Sequence, residues 1–339
     1  MVKQKAASVI IPNWNGKRLL GQCLDALSKQ TYKDFEIIVV ENGSTDGSVE
    51  YIEENYPEVV LLKQKENLGF AGGVNVGLKH SQAKYKILLN NDTAVDESWL
   101  GALVHTAEKN PNAFAVVSKI LEASKRKNPK YYNIDSTGDQ YSIWGMPFPR
   151  GRGEVDTGQF NKPEQVFAAC GGSVLYRATL LEKVGLFDED FFAYYEDVDI
   201  SFRARLMGYD ILYEPKSVVY HAIGATSGGG LKPFTRFHSV KNAHYLYLKN
   251  MPASLFWRFL PRFLLGQIMV FASSIKHGLL LSHLKGLVWV LLFLPKKIVQ
   301  RVTIQRKKKV SNADVLSRLY KELPPLQKDF FNKFRRGSK

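Results

Sequence analysis

The apolar run Ile87-Leu88-Leu89 passes directly into two amides, a carboxylate and a hydroxyl, Asn90-Asn91-Asp92-Thr93. A buried strand that ends this abruptly in polar groups belongs at the carboxyl edge of an open parallel sheet, where α/β folds bind their ligands. Asp92 then projects into the ligand crevice, and hard oxygen donors of this kind suit Mg²⁺ or Mn²⁺ carrying a phosphorylated ligand. Taken alone, the motif is more simply a βα turn in which Asp92 caps a helix beginning near Glu97.

The neighbouring sequence decides between these readings. Residues 8–11 and 35–40 are buried-strand patterns, separated by a helical pattern over 17–30 with Leu19, Leu20, Cys23, Leu24 and Leu27 at helical spacing. A third strand pattern at 59–62 precedes Asn67-Leu68-Gly69-Phe70-Ala71-Gly72-Gly73 and a helix running towards Lys79, and a fourth at 85–89 delivers the Asn-Asn-Asp motif. This alternation predicts an α/β fold: a Rossmann-like, mainly parallel sheet flanked by helices. Residues 123–165 then lose periodicity and fill with Lys, Asn, Pro and Gly, which in an α/β domain predicts a functional flap. Order returns over 166–176, in helices near 179–184 and 200–207, the latter stopped by Gly208, and in a strand at 218–220 ending at His221.

Charge divides the chain near residue 250. The net charge is +15, and residues 251–339 hold 18 of the 47 basic but 3 of the 32 acidic residues, so the first 250 residues are neutral overall. Residues 255–294 are rich in Leu, Phe, Val and Trp yet interrupted by Arg258, Pro261, Arg262, Lys276, His277, His283 and Lys285. The longest uncharged stretches, 263–275 and 286–295, fall short of the roughly 20 residues of a spanning helix. Interfacial or re-entrant amphipathic helices are therefore predicted, followed by the basic run Arg306-Lys307-Lys308-Lys309. Cys23 and Cys170 have neither metal-site nor redox spacing, which predicts buried thiols in a reducing compartment. The apolar run at 6–11 is too short for a signal sequence, so the chain is expected to stay in the cytoplasm.

Three clusters are candidates for chemistry. Glu41-Asn42-Gly43-Ser44-Thr45-Asp46-Gly47-Ser48 follows the second strand, where a nucleotide base and ribose could be read, although Ser44 or Asp46 there is also a good helix N-cap. The glycine-rich loop at 67–73 matches neither the P-loop nor the dinucleotide fingerprint. Glu196, Asp197 and Asp199 place three carboxylates within four residues before a predicted helix. The helix dipole explains one or two of them. Three, behind Phe191, Phe192, Tyr194 and Tyr195, predict a site where one carboxylate acts as a general base. His221 is either a core histidine or, if Asp92 holds a metal, its partner.

Taken in order, several segments resemble glycosyltransferase family 2. They are Ser8-Val9-Ile10-Ile11-Pro12-Asn13-Trp14-Asn15, the turn at 41–48, Asn67-Leu68-Gly69-Phe70, residues 88–93, Gly185-Leu186-Phe187-Asp188-Glu189, residues 195–199 with Arg203, and His221. The likeness covers about residues 7–250 and is closest to the family's bacterial and archaeal rhamnosyltransferase-like branch. It implies a GT-A domain over 1–250, with a nucleotide half at about 1–120 and an acceptor half at about 121–250, and leaves 251–339 as amphipathic helices and a basic tail. It also implies inverting, metal-dependent transfer of a sugar, rhamnose being favoured, from a dTDP- or UDP-linked donor to a glycan or lipid-linked acceptor, as in cell-wall polysaccharide biosynthesis.

In that frame Asp92 and His221 match the ligands of the Mg²⁺ or Mn²⁺ ion, with Asn90 and Asn91 in the place of the family's Asp-x-Asp motif. Pro12, Asn13, Asn15, Glu41, Asn42, Ser44, Asn67, Gly69 and Phe70 match the donor-binding segments. Asp197 matches the catalytic base, with Glu196 and Asp199 in supporting roles. Glu41 departs from the pattern, because the family usually reads the pyrimidine with Asp. Arg150 and Arg152 are candidates to approach the diphosphate. Clustered cations beside apolar helices predict peripheral or monotopic association with the cytoplasmic face of the cell membrane. Two other classes compete. A nucleic-acid-binding protein with a basic C-terminal arm fits poorly with the apolar content of 255–295, so no nucleic-acid partner is expected. A glycoside hydrolase using the carboxylate cluster would need neither a nucleotide nor Asp92.

Overall fold

The computed structural model describes residues 4–123, 131–222, 230–325 and 327–328. The first half alternates as anticipated: β1 (Ala7–Asn13), α1 (Lys17–Ser28), β2 (Phe35–Glu41), α2 (Ser48–Asn55), β3 (Val60–Lys63), α3 (Gly69–His80), β4 (Tyr85–Leu89), a short β5 (Thr93–Val95) and α4 (Trp99–Lys109). Then come β6 (Ala113–Glu122), β7 (Asn133–Ser136), β8 (Asp139–Tyr141), β9 (Pro147–Pro149), β10 (Glu164–Gln165), β11 (Ser173–Arg177) and α5 (Ala178–Val184). The chain continues through α6 (Glu196–Leu206), β12 (Asp210–His221), α7 (Pro233–Asn250), α8 (Ala253–Lys276), α9 (Leu280–Arg306) and α10 (Asn312–Arg318).

The main sheet runs β10-β12-β6-β11-β4-β1-β2-β3, with β5 added to β12 and β7 to β6. β1, β2, β3 and β4 pair in parallel, as do β6 and β12, whereas β11 is antiparallel to both β4 and β6. The sheet is therefore mixed but mostly parallel. Its two faces bury separate apolar layers, because helices cover both. One layer joins Leu20, Cys23, Leu24 and Leu27 of α1 to Val9, Ile11 and Trp99. The other joins Ala71, Val74 and Leu78 of α3 to Ile10, Ile38 and Val40. On that second face α3 lies so close that a Cβ at Gly77 would stand 2.4 Å from Ile10 Cγ2. Only glycine allows that approach.

Three expectations change. Residues 131–165 of the anticipated flap are not irregular: β7 extends the main sheet and β8 pairs with β9, so several polar side chains there are fixed by pairing. The helix expected over 200–207 begins at Glu196, so the three acids occupy its first turn instead of preceding it. The strand expected at 218–220 is the end of the 12-residue β12. Here β-sheet pairing and a positive-φ cap at Tyr195 (φ 71°) prevail over local pattern.

The C-terminal helices are longer than the uncharged stretches suggested. α8 runs unbroken through Arg258, Pro261 and Arg262 and is, by length and composition, apolar enough to cross a membrane. One face of the α7–α9 assembly shares a third core with α6, built from Phe191, Phe202, Tyr245, Tyr247, Phe259 and Phe263. The opposite face leaves Trp257, Leu264, Ile268, Leu281, Leu291, Leu292 and Val299 exposed. The last cations of the basic tail, Lys333, Arg335, Arg336 and Lys339, lie outside the described residues.

Ion pairs bind this assembly to the α/β part. Lys297 of α9 is fully buried, 2.7 Å from both Asp188 and Asp190, and Lys249 of α7 lies 2.6 Å from Asp188 and 2.9 Å from Asp199. Burial opposes ionisation of Asp188, yet Lys249 and Lys297 hold it well below the usual carboxylate range. Removing one partner leaves the others buried and unbalanced. Lys297→Met is expected to lower the unfolding free energy by about 3 kcal/mol, read as a reduced urea midpoint at unchanged slope; an unaltered midpoint would show that the pairs do not secure α9.

Candidate active site

The carboxyl ends of β1, β2 and β4 meet in a chain of amide and carboxylate contacts. Asn91 Nδ2 donates to Asn13 Oδ1 at 2.6 Å, and Asn13 Nδ2 donates to Glu41 Oε2 at 2.7 Å. The other Glu41 oxygen accepts the Ser44 N–H at 3.0 Å. Asn15, held at φ 49°, accepts the Thr45 N–H and donates its own backbone N–H to Ser44 Oγ. Asn42 bridges the next loop: Nδ2 donates to Asn67 Oδ1 and Gly69 O, while Oδ1 accepts the Leu68 N–H. Pro12 lies in β1 beside Val40. Gly69 has φ 72°, and a Cβ there would meet Phe192 at 2.6 Å, so this glycine lets the α3 loop touch the loop ahead of α6.

Asp92 and His221 come together from strands far apart in sequence, because β5 pairs antiparallel with the end of β12. His221 Nε2 lies 3.2 Å from Asp92 Oδ1, and His221 Nδ1 lies 2.8 Å from Asp135 Oδ2. Arg152 closes the relay, 2.6 Å from the second Asp135 oxygen. Burial works against a charge on His221, but the two carboxylates raise it to about 9. A metal-ligating histidine characteristically gives its other ring nitrogen to a carboxylate, as His221 Nδ1 does to Asp135. Asp92 and His221 thus fit a metal ion by their own chemistry. Asn91 is committed to Asn13; Asn90 ties the strand end to the next segment, its N–H donating to Gly172 O at 3.1 Å.

That segment holds Asp197. Asp197 Oδ2 accepts the Gly171 N–H at 2.8 Å and Oδ1 accepts the Val198 N–H, so the carboxylate is fixed at the N-terminus of α6. Phe70 packs beside Gly171. Asp139, Cys170 and Asp197 bring their donor atoms within 4.8 Å of one another. Burial raises Asp197, and burial together with the Asp197 charge pushes Asp139 well above the usual range.

The other two acids of the cluster differ from Asp197. Asp199 is fully buried and held low by Lys249 and Arg203 against the effect of burial, with Asn250 donating to it at 2.7 Å. Glu196 is buried with Oε2 unpartnered and is pushed up by burial and by Asp197. Arg150 turns away from the site, pairing with Glu164 and lying over the rings of Phe160 and Tyr213.

Sequence reasoning missed Asp135, Asp139 and Cys170. The two acids lie in Asn133-Ile134-Asp135-Ser136-Thr137-Gly138-Asp139, where two acids four apart in a supposed loop were the available signal. Cys170 precedes a Gly-Gly pair at the mouth of β11 and is half-buried here, not a core thiol.

The mixed, mostly parallel sheet flanked by helices is that of a glycosyltransferase of the GT-A type. Residues 8–185 match the Glycosyl transferase family 2 model, more than half of the chain, and the chain belongs to that family. It is 27% identical over 255 residues to the N-acetylglucosaminyl-diphospho-decaprenol L-rhamnosyltransferase of Mycobacterium tuberculosis, covering 70% of this chain and 82% of that one. It is 26% identical over 251 residues to the poly-beta-1,6-N-acetyl-D-glucosamine synthase of Staphylococcus epidermidis, covering 72% of this chain and 56% of that one. The chain spans a little over half the length of several such relatives. The crystal structure of GalNAc-T7 with UDP, GalNAc and Mn²⁺ superposes with a TM-score of 0.57 at 18% identity, over 74% of this chain and 48% of that one, which is a likeness of fold.

Asp135→Asn keeps the shape of the relay but weakens its hold on His221. The expected result is a loss of about 10 to 100 fold in Mn²⁺ affinity, measured by calorimetry on protein whose circular dichroism is unchanged. Wild-type affinity would separate Asp135 from the cation site.

Proposed function

We propose that this glycosyltransferase is inverting and metal-dependent, moving a sugar from a nucleoside diphosphate to a hydroxyl of a lipid-linked acceptor at a membrane surface. Rhamnose on dTDP is the donor we favour over a UDP-hexose, in line with the mycobacterial relative's name. The observation that carries the reading is the Asn90–Gly172 backbone bond. It joins the strand end bearing Asp92 to the segment whose Gly171 N–H holds Asp197. Asp92 and Asp197 thus stand at one edge of the sheet.

The donor's base and ribose would lie along Asn13, Asn15, Glu41, Asn42 and Ser44, and its sugar near Asn67, Gly69 and Phe70. Asp92 and His221 would hold Mg²⁺ or Mn²⁺, which as a Lewis acid offsets the charge gathering on the leaving diphosphate; the Mn²⁺ in the GalNAc-T7 structure supports that ion class. Asp197 takes the proton of the acceptor hydroxyl while its oxygen attacks the anomeric carbon from the face opposite the diphosphate. The old C–O bond breaks, its electron pair leaves with the diphosphate, and the configuration inverts. A carboxylate raised by burial is better matched to that proton than an exposed one. Glu196 and Asp199 support α6 instead of reacting, Asp199 being already paired with Lys249 and Arg203.

Asp197→Asn preserves shape but cannot take a proton. It is expected to lower kcat by at least about 10² fold while donor affinity by calorimetry stays near wild type. If affinity fell in step with turnover, Asp197 would be a donor ligand instead.

The exposed apolar face of α8 and α9 supports docking on the cytoplasmic leaflet. The full-length protein is expected to float with anionic liposomes, more weakly but still measurably at high salt. Leu291→Glu with Leu292→Glu should remove the salt-resistant part. Absence of flotation at low salt would leave α8 and α9 with a packing role alone.

A further inference from the structure

Arg236 stands near the start of α7 and is 5% exposed, yet among the described residues no carboxylate pairs with it. Most other buried cations of α6, α7 and α9 have carboxylate partners, Lys241 of α7 being held instead by the Asp190 carbonyl. Lys249, Lys297, Arg203 and Arg205 each lie within 3.4 Å of a carboxylate oxygen. Arg236 instead spends one bond on a hydroxyl, its NH2 donating to Ser273 Oγ at 3.1 Å, and its Nε is buried with no partner. A guanidinium does not shed its proton, so burying one without a counter-charge is unfavourable unless an anion arrives.

The surroundings suit such an anion. His283 is 2% exposed, its Nδ1 2.9 Å from Ser274 Oγ; burial, with the nearby Arg236 charge, holds it below the usual histidine range, so it offers a neutral ring as a hydrogen-bonding partner. Ser273 is half-buried and 3.4 Å from the ring of exposed His277, so the cluster opens to the surface there. Burial raises the hydroxyl of Tyr195, the cap of α6 that immediately precedes Glu196 and Asp197, and the charge of Arg236 partly offsets that rise. The ring of Phe271 lies 5.2 Å from that of His283, and Ile268, Phe271 and Ile275 of α8 are exposed. An anionic centre seated here would border the exposed apolar surface of α8.

We propose that Arg236, with Ser273 and His283 beside it, binds a phosphate of the lipid-linked acceptor, whose hydrocarbon chain lies over α8. The site rests on the acceptor class proposed above and gives it an address. Arginine forms charge-assisted bonds to phosphate that no neutral lipid alcohol can match. The uncompensated cation is then a binding group that the protein keeps at some expense to its own stability.

The test uses the full chain and two probes. Farnesyl phosphate, farnesol and inorganic phosphate are titrated in solution, and vesicles doped with polyprenyl phosphate are compared with vesicles matched in charge by phosphatidylglycerol. Wild type is expected to prefer farnesyl phosphate over both small controls, and the doped over the matched vesicles, by about tenfold or more. Arg236→Gln should lose that preference while keeping its binding to phosphatidylglycerol vesicles and to nucleoside diphosphate. Arg236→Met should melt at a higher temperature than wild type, because an unpaired buried charge has gone; a lower melting temperature would mark Arg236 as a structural residue and overturn the proposal. An undiminished preference in Arg236→Gln would also overturn it, as would equal binding of inorganic and farnesyl phosphate. If no vesicle is bound by either protein, the membrane reading fails, and the solution titration alone decides the site.

Discussion

Two lysines lie in the core of this protein, and three aspartates face them. Lys249 and Lys297 come from α7 and α9, and Asp188, Asp190 and Asp199 come from the turn before α6 and from α6 itself. A buried pair of this kind adds little net stability, since desolvation consumes most of the attraction, but it tolerates very few alternative arrangements. The turn at 188–195 is consequently clamped at one end by ions. Asn242 of α7 clamps the other, its Nδ2 donating to the carbonyls of Phe191, Ala193 and Tyr194. Between the clamps, Phe192, Tyr194 and Tyr195 all adopt positive φ, a conformation that costs non-glycine residues of order 1 kcal/mol or more each. That strained turn presents Asp197 to the Gly171 N–H, so the placement of the proposed base depends on helices far later in the chain.

The opposite wall of the site is built by different means. The ends of β1 and β2 are ordered by amides, through the run Asn91 to Asn13 to Glu41 to the Ser44 N–H. A chain of neutral and singly charged hydrogen bonds leaves the edge polar, which suits the donor-binding role proposed for it. Glu41 is part of this order: its extra methylene, relative to the Asp usual in the family, is taken up in reaching both Asn13 and Ser44.

Much of this was legible in the sequence wherever the determinant was local. Strand runs ending in polar residues located Asp92, the turn at 41–48 and the end of β12 at His221, because a parallel sheet collects the carboxyl ends of its strands along one edge. What escaped was set by pairing between distant segments. Asp135 reaches His221 only because β7 adds to β6, which lies beside β12, and Asp139 reaches Asp197 through a bridge to Ala168. Residues 123–165 have no period to betray that arrangement. The early start of α6 was hidden for a related reason: Tyr195 caps it from a left-handed conformation that Asn242 enforces from 47 positions downstream.

The same reasoning changes what the basic C-terminal region can do. The whole formal excess of +15 lies after residue 250, and read as a sequence it belongs to a membrane surface. In the fold, Lys297 is spent on Asp188 and Asp190, Lys296 on Asp190, Arg301 on the Leu248 carbonyl, Lys307 on the Lys183 carbonyl and Arg318 on Gln165. Arg258, Arg262, Lys285 and Arg306 stay exposed around the apolar face. Of these only Lys296 and Lys297 meet carboxylates, so the proposed attraction to an anionic leaflet would still draw on most of the remaining cations, at about 1 kcal/mol for each one near the surface. Because α9 reaches that apolar face on one flank and Asp188 on the other, the helix that would meet lipid is also the one that holds the turn before Asp197. Docking surface and proposed base are two faces of a single packed unit.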